Sequence, residues 1–320
     1  MWDMLKKLTD TGIIPVIKVE DPETAVPLAN ALRNGGINTI EVTVRNNTAF
    51  DSIKKIKEAY PDMLVGAGTI LNPQMTRQAM DNGADYIVTP GFDEETVTFC
   101  QKAGITIIPG CVTPSEVQKA VNMGLKVLKF FPAGRYGGVE GIKELAGPFS
   151  DVRFVPTGGI GFGDLEQYLR CEEVAAVGGS FIAKADVIAR HDWETITKNC
   201  KRCIELALGF EIGHVGMNFS NKEEALCVAN ELNTRFPLGL KIGEGSTFLG
   251  TSVEFMHGPY YGTHGHIGFR TNSAERAKAY FEQVGFSVVE ESIAYNDKGV
   301  MKFFYLKEEV GGFALHVVKK

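Results

Sequence analysis

Eight short runs rich in β-branched residues recur between residues 13 and 180, and amphipathic stretches separate them. That alternation limits the folds open to this chain more than any other feature. The runs cover 13–19, 39–44, 64–69, 86–91, 106–112, 127–133, 153–159 and 175–180, so successive starts lie 20–26 residues apart. Helical periodicity fills the intervals at 23–33, 49–60, 74–82, 94–103, 114–122, 139–145 and 164–169, and a long final helix is predicted over 193–208. Glycines stand where helices would end in a left-handed cap, at Gly35-Gly36, Gly83, Gly104 and Gly124. Eight such units predict an α/β fold of the (β/α)8 TIM-barrel type, which closes in about 200 residues. A doubly wound open sheet is the competitor, but it seldom needs eight near-identical units.

Parallel barrel strands are buried on both faces and should be apolar throughout. Two of these strands are not. In Ile40-Glu41-Val42-Thr43-Val44-Arg45 the two-residue period puts Glu41, Thr43 and Arg45 on one face, pointing into the barrel. Buried charge must meet a partner or a ligand, so the reading is either a structural Glu–Arg pair or a site. Lys129 stands mid-strand in Val127-Leu128-Lys129-Phe130-Phe131, where lysine is rare unless paired or functional. Burial beside Phe131 and nearby Arg45 would favour the neutral amine, the form that attacks a ketone. Burial would raise the pKa of Glu41 and cations would lower it; both outcomes are open here. Thr157-Gly158-Gly159 and Gly178-Gly179-Ser180 follow the seventh and eighth strands, where barrels often bind phosphate, although tight turns also use glycine. His191 is the only histidine before residue 210, so proton transfer in the barrel falls to a carboxylate and water.

These residues resemble a known family. Pro15-Val16-Ile17, Glu41-Val42-Thr43-Val44-Arg45, Val65-Gly66-Ala67-Gly68-Thr69, Thr89-Pro90-Gly91, Lys129-Phe130-Phe131-Pro132-Ala133 and Pro156-Thr157-Gly158-Gly159-Ile160 are similar to motifs of the 2-keto-3-deoxy-6-phosphogluconate (KDPG) and 4-hydroxy-2-oxoglutarate (KHG) aldolases. The resemblance implies a class I aldolase needing no cofactor, with Lys129 as Schiff-base lysine and Glu41 as acid/base. It implies that Arg45 and Thr69 hold the pyruvyl carboxylate, with Pro90, Phe131 and Lys18 also against the substrate. Phosphate would fall to Thr157, Gly158, Gly159, Gly178, Gly179 and Ser180. Asn46 stands where the family often has Thr, and Lys18 where many members have Arg, which keeps charge but loses a bidentate fork. The implied substrate is a phosphorylated keto acid, and the implied assembly a homotrimer. A related pyruvate-dependent aldolase and a regulatory barrel that binds keto acids are the alternatives.

The pattern changes near residue 210, which predicts domains 1–209 and 210–320. Gly213-His214-Val215-Gly216 recurs 52 residues later as Gly265-His266-Ile267-Gly268, each copy followed by a helix and further strands. This marks a duplicated unit, a smaller α+β domain of paired β-α-β-β-β modules, with the first module looking one strand short. It resembles the glyoxalase-like, or vicinal oxygen chelate, superfamily. Superposing the halves matches His214 with His266 and Glu254 with His316, which implies a divalent-metal site; a binding or assembly module without metal is the alternative. His257 and His264 read as surface residues. A net charge of −6 argues against a nucleic-acid partner. No apolar run of membrane-spanning length and no signal peptide is present, so the cytoplasm is expected. The six cysteines do not form a disulfide framework, and Cys200-x-x-Cys203 lies in a helical stretch rather than after a strand.

Overall fold

The computed structural model describes residues 2–46, 48–297 and 299–320. The chain divides into two compact units, one ending at Ala207 and one beginning at Leu208. Among the described residues no helix is long and apolar enough to cross a membrane.

The first unit is a (β/α)8 barrel. Its strands are β1 (Ile13–Ile17), β2 (Thr39–Thr43), β3 (Leu64–Gly68), β4 (Tyr86–Val88), β5 (Thr106–Ile108), β6 (Val127–Phe130), β7 (Arg153–Pro156) and β8 (Val177–Gly179). Parallel pairing runs β5-β4-β3-β2-β1-β8, with β6-β7 as a separate pair. Single bridges close the ring, Gly110 to Lys129 between β5 and β6, and Thr157 to Gly178 between β7 and β8. Every strand ends one to four residues before the sequence pattern predicts. The physical reason lies at the strand tops. Pro90, Pro109 and Pro132 have no N–H to donate there, and Gly158 and Gly159 take φ of +90° and +77°, outside strand geometry. Those strand tops are where the site forms.

The outer core packs strand residues such as Ile40, Val42, Val65 and Ile87 against the helices. A separate inner cluster, including Ile14, Tyr86, Val88, Ile108, Val127 and Val155, fills the barrel and is joined by Met4, Leu5 and Leu8. Those three belong to helix Trp2–Thr11, an element the sequence reading did not place, although the spacing of Met4 and Leu8 is helical.

Tyr86 is fully buried in this inner layer, with its hydroxyl 3.3 Å from Thr39 Oγ1 and donating to the Ile40 carbonyl at 3.3 Å. It fits because β3 offers Gly66 on the facing surface. A Cβ at Gly66 would lie 2.2 Å from the Tyr86 ring.

In the second unit eight strands form one sheet: β9 (Glu211–Met217), β10 (Leu240–Ile242), β11 (Ser246–Leu249), β12 (Val253–Met256), β13 (Gly265–Thr271), β14 (Val288–Tyr295), β15 (Met301–Val310) and β16 (Phe313–Lys319). The order is β10-β11-β12-β9-β13-β16-β15-β14. β9 pairs with β13 antiparallel, while β9–β12 and β13–β16 are parallel, so the two modules mirror each other about the central pair. The first module is not missing a strand, as its sequence suggested. β10 is present but only three residues long, too short for its alternation to register. Helix Lys222–Arg235 packs on β11 and β12 through Ala225 and Ala229 against Leu249 and Phe255. Helix Ala274–Gln283 covers β15 and β16 in the equivalent place.

The Gly66–Tyr86 fit yields a stability prediction. Gly66→Ala should destabilise the barrel by about 1–3 kcal/mol, the usual range for overpacking, and lower its urea midpoint. Gly91→Ala, where a Cβ meets nothing within 4 Å, is the control and should leave the midpoint unchanged.

Candidate active site

Lys129 and Glu41 meet inside the barrel. They are 7% and 2% exposed, and Lys129 Nζ donates to Glu41 Oε1 at 3.2 Å. Room for the carboxylate comes from β3 again: a Cβ at Gly68 would lie 2.2 Å from Glu41 Oε1. The Gly66-Ala67-Gly68 segment therefore leaves two empty positions, one for the Tyr86 ring and one for the Glu41 carboxylate. Phe131 borders the pair, with Lys129 Nζ 5.6 Å from its ring centroid. The Phe131–Pro132 peptide bond is cis.

Arg45 departs from the sequence expectation. Glu41 and Thr43 are buried on the inward face, but β2 ends at Thr43 and the chain turns, with Arg45 N–H bonding back to the Thr43 carbonyl at 3.0 Å. Arg45 is consequently exposed at the rim instead of continuing the alternation. The carboxylate's partner is Lys129, so the structural Glu–Arg pair is not the arrangement found.

A cavity of about 240 Å³ opens above the pair. Arg45, Thr69 and Pro90 line it on one side, and Lys18 above β1 and Phe131 above β6 line it next to β8 and β7. Lys18 is exposed and held by Glu20 at 2.6 Å. Thr69 takes a φ of +62°, a strained backbone for a β-branched residue, at the top of β3. On the other side lie Thr157, Gly158, Gly159, Gly179 and Ser180. Gly178 is not in the lining. It pairs with Ile14 inside β8, and a Cβ there would press on Thr157 Oγ1 at 2.4 Å. Thr157 Oγ1 is buried without a hydrogen-bond partner. Val16 and Ile160 also line the cavity and were missed in the sequence; the alternation Ile14, Val16, Lys18 carried the signal for the first.

The second unit gathers another set of polar side chains. Register places Glu254, Gly216 and His266 in one row across β12, β9 and β13, and His214, Gly268 and His316 in another across β9, β13 and β16. Each row has a glycine at its centre, and the flanking side chains lean over it. A Cβ at Gly216 would lie 2.1 Å from the His266 ring, and one at Gly268 would lie 2.5 Å from both His214 and His316. His214 Nε2 stands 3.1 Å from His266 Nε2, 3.1 Å from His316 Nε2 and 3.4 Å from Glu254 Oε2. His266 Nε2 is also 3.1 Å from Glu254 Oε2.

Burial, aided by the neighbouring imidazoles, pushes His316 down to about 3, and burial also lowers His214. Burial of Glu254 opposes its ionisation, but hydrogen bonds from His266 and Ser246 outweigh that and hold its carboxyl below the usual range. Three imidazole Nε2 atoms and the Glu254 carboxylate thus crowd together, and the groups of His214, His266 and His316 are a set able to hold a cation. Nδ1 of His266 and of His316 are buried without partners.

The remaining candidates fall elsewhere. His264 is exposed. His257 is half-buried rather than on the surface, because its ring bridges Thr247 Oγ1 at 2.8 Å and the Glu244 carbonyl at 2.9 Å. Cys200 and Cys203 are free, fully buried thiols, and burial raises both, Cys200 to about 12.

A model of the KDPG and KHG aldolase family matches residues 4–199. The KHG/KDPG aldolase of Escherichia coli (strain K12) is 41% identical over 198 residues, which is 62% of this chain and 93% of that protein. A 2-dehydro-3-deoxy-phosphogluconate aldolase of Treponema pallidum is 39% identical over 206 residues, covering 64% and 98%. Among solved structures, KDPG aldolase from Legionella pneumophila, with pyruvate captured as a covalent carbinolamine intermediate, is 38% identical with a TM-score of 0.60, covering 62% of this chain and 96% of that one. The aldolase of Zymomonas mobilis with 3-phosphoglycerate is 35% identical with a TM-score of 0.60, covering 64% and 95%. On the barrel's motifs, its paired lysine and glutamate and these matches, the chain belongs to the KDPG and KHG aldolase family.

Proposed function

We propose that the barrel, residues 1–209, cleaves 2-keto-3-deoxy-6-phosphogluconate to pyruvate and glyceraldehyde 3-phosphate through a Schiff base on Lys129. The observation that carries this reading is the buried Lys129–Glu41 contact of 3.2 Å at the closed end of the cavity. Glu41 is within reach to take a proton from the Lys129 ammonium, leaving the amine lone pair to attack C2 of the keto acid. Glu41 returns that proton to the carbinolamine hydroxyl, which leaves as water to give the iminium and restores the carboxylate. Glu41, through a water, takes the proton of the C4 hydroxyl; the C3–C4 bond breaks and its electron pair enters the iminium as an enamine. Glyceraldehyde 3-phosphate departs, the enamine is protonated at C3, and hydrolysis frees pyruvate and Lys129. The same steps on 4-hydroxy-2-oxoglutarate release glyoxylate instead.

Arg45 and Thr69 at the rim suit the pyruvyl carboxylate. Thr157, Gly158, Gly159, Gly179 and Ser180 on the opposite wall suit the phosphate, Gly178 acting from beneath by leaving room for Thr157. The unpartnered Thr157 hydroxyl supports a polar ligand on that wall. The homotrimer and the cytoplasmic location that the family resemblance implies belong to the same proposal.

Residues 210–320 are read as a glyoxalase-like unit whose His214, His266, His316 and Glu254 hold a divalent cation. Bonds of about 2.1 Å set neighbouring donors roughly 3.0 Å apart in an octahedron and roughly 3.4 Å apart in a tetrahedron; the 3.1–3.4 Å from His214 to His266, His316 and Glu254 fall in that interval, and the three imidazole donors lie within 4.8 Å of one another. Imidazole with carboxylate suits Zn, Mn, Fe or Ni. A bound cation would supply Lewis-acid polarisation of a ligand oxygen.

Three measurements check these readings. Lys129→Ala should abolish turnover and borohydride-dependent labelling by pyruvate; label persisting on another lysine would overturn the Schiff-base assignment. Glu41→Gln keeps shape and hydrogen bonding but not basicity, so kcat should fall about 10²–10⁴-fold with pyruvate still trapped. A near-normal rate would move proton transfer to another group. For the second unit, the full chain incubated with Zn²⁺ and desalted should retain about one equivalent by mass spectrometry, and Gly268→Ala should retain little, because its Cβ takes the imidazoles' space. Equal retention by both would place the metal elsewhere.

A further inference from the structure

The two halves of the second unit match His214 with His266 and Glu254 with His316, and they differ again beyond the cluster. Two residues after the central glycine of each repeat, the first half has Asn218 and the second has Arg270. Asn218 is committed locally, its amide donating to the carbonyls of Tyr260 and Gly262 at 3.1 and 2.8 Å. Arg270 is exposed, and no ion pair is found for it among the described residues.

The side chain of Arg270 points to the histidine cluster for a structural reason. β13 pairs with β16 in unbroken register from Gly265 to Thr271, so His266, Gly268 and Arg270 share one face. β9 has an irregularity at Gly213, and a Cβ there would lie 3.2 Å from Arg270 Cγ and 3.5 Å from its Nε. The arginine stem therefore lies across Gly213, next to His214. Glu211, the cross-strand neighbour of Arg270 on β9, is held by Lys320 at 2.6 Å, which leaves the guanidinium of Arg270 exposed beside the cluster. On the far flank of the cluster the wall is aromatic. Tyr305 lies 5.0 Å and Phe303 4.9 Å from the His316 ring, and Tyr261 stacks on Tyr305 at 4.1 Å.

Phe248 also lies 5.7 Å from the His214 ring, so aromatic rings border the cluster on both flanks, and a cation at its edge, Arg270, distinguishes the ends of a ligand. From this asymmetry we infer that the second unit binds a small organic acid whose oxygen-donor end reaches the metal while a carboxylate several bonds away pairs with Arg270. The guanidinium offers a planar, bidentate fork to a carboxylate. Two residues of strand, about 7 Å, separate Arg270 from the level of Gly268, which suits a five-carbon dicarboxylate better than a three-carbon acid. The inference rests on the metal-centre reading above, and it makes Arg270 a specificity-determining residue for that centre.

The test uses the full chain loaded with Co²⁺, whose visible spectrum reports the metal centre alone and is blind to keto acids bound at Lys129. 2-Oxoglutarate and 2-oxopentanoate present the same metal-binding end and differ in the distal carboxylate. The spectrum should respond to 2-oxoglutarate at about tenfold lower concentration than to 2-oxopentanoate. In Arg270→Gln the two should titrate alike, with cobalt stoichiometry unchanged. Equal titration in the unsubstituted chain, or a preference that survives Arg270→Gln, would overturn the role of Arg270 while leaving the metal centre standing. Failure to bind cobalt at all would overturn the metal centre and this inference with it.

Discussion

Burying the Lys129 ammonium beside the Glu41 carboxylate is the act around which the barrel is organised. Removing each ion from water costs several kcal/mol, and only close contact in a low-dielectric interior offsets that. The contact is 3.2 Å, and both side chains are more than nine-tenths buried. Keeping it so requires a barrel closed at its base, which the inner apolar cluster and helix Trp2–Thr11 provide. It also requires a strand top that stays open above the pair. The early ends of the strands, at proline, left-handed glycine and strained Thr69, meet that second need.

Both units solve the same packing problem in the same way. A large polar side chain can lie over a sheet only if the position facing it is empty. In the barrel Gly66 and Gly68 leave space for Tyr86 and Glu41; in the second unit Gly216 and Gly268 leave space for the imidazoles. These glycines matter less for backbone freedom than for absent volume, since none of the four has a left-handed φ. Their substitution acts on function through displaced neighbours.

Duplication shapes the second unit further. A pseudo-two-fold through the β9–β13 pair makes four donors converge, and symmetry alone would give a centre indifferent to the ends of its ligand. Glu254 in one half against His316 in the other already breaks the symmetry among the donors, and Asn218 against Arg270 extends the break beyond them. Conversion of one repeat position from a structural amide to an unpaired guanidinium is a small change in sequence with a large effect on local charge.

By itself the sequence determined the barrel class, since eight β-branched runs with the right spacing have few other solutions. It determined the inward placement of Lys129 and Glu41, because the two-residue period leaves a mid-strand charge nowhere else to go. It also determined the pairing of His214 with His266 in the second unit, through the recurrence of Gly-His-x-Gly. Strand ends, the partner of Glu41 and the exposure of Arg45 were decided only by tertiary structure. Alternation carries no information about where a strand stops, and Arg45 is exposed at the rim of the cavity that it shares with Glu41 and Thr43 because β2 ends two residues before it. The presence of β10 was likewise hidden, as an element of three residues does not rise above the background of a globular sequence, and the helical spacing of Met4 and Leu8 does not tell which surface the first helix covers. Gly213, Gly216 and Gly268 read in the sequence as a repeat signature; that each is a space reserved for a side chain of another strand could appear only once register brought those strands together.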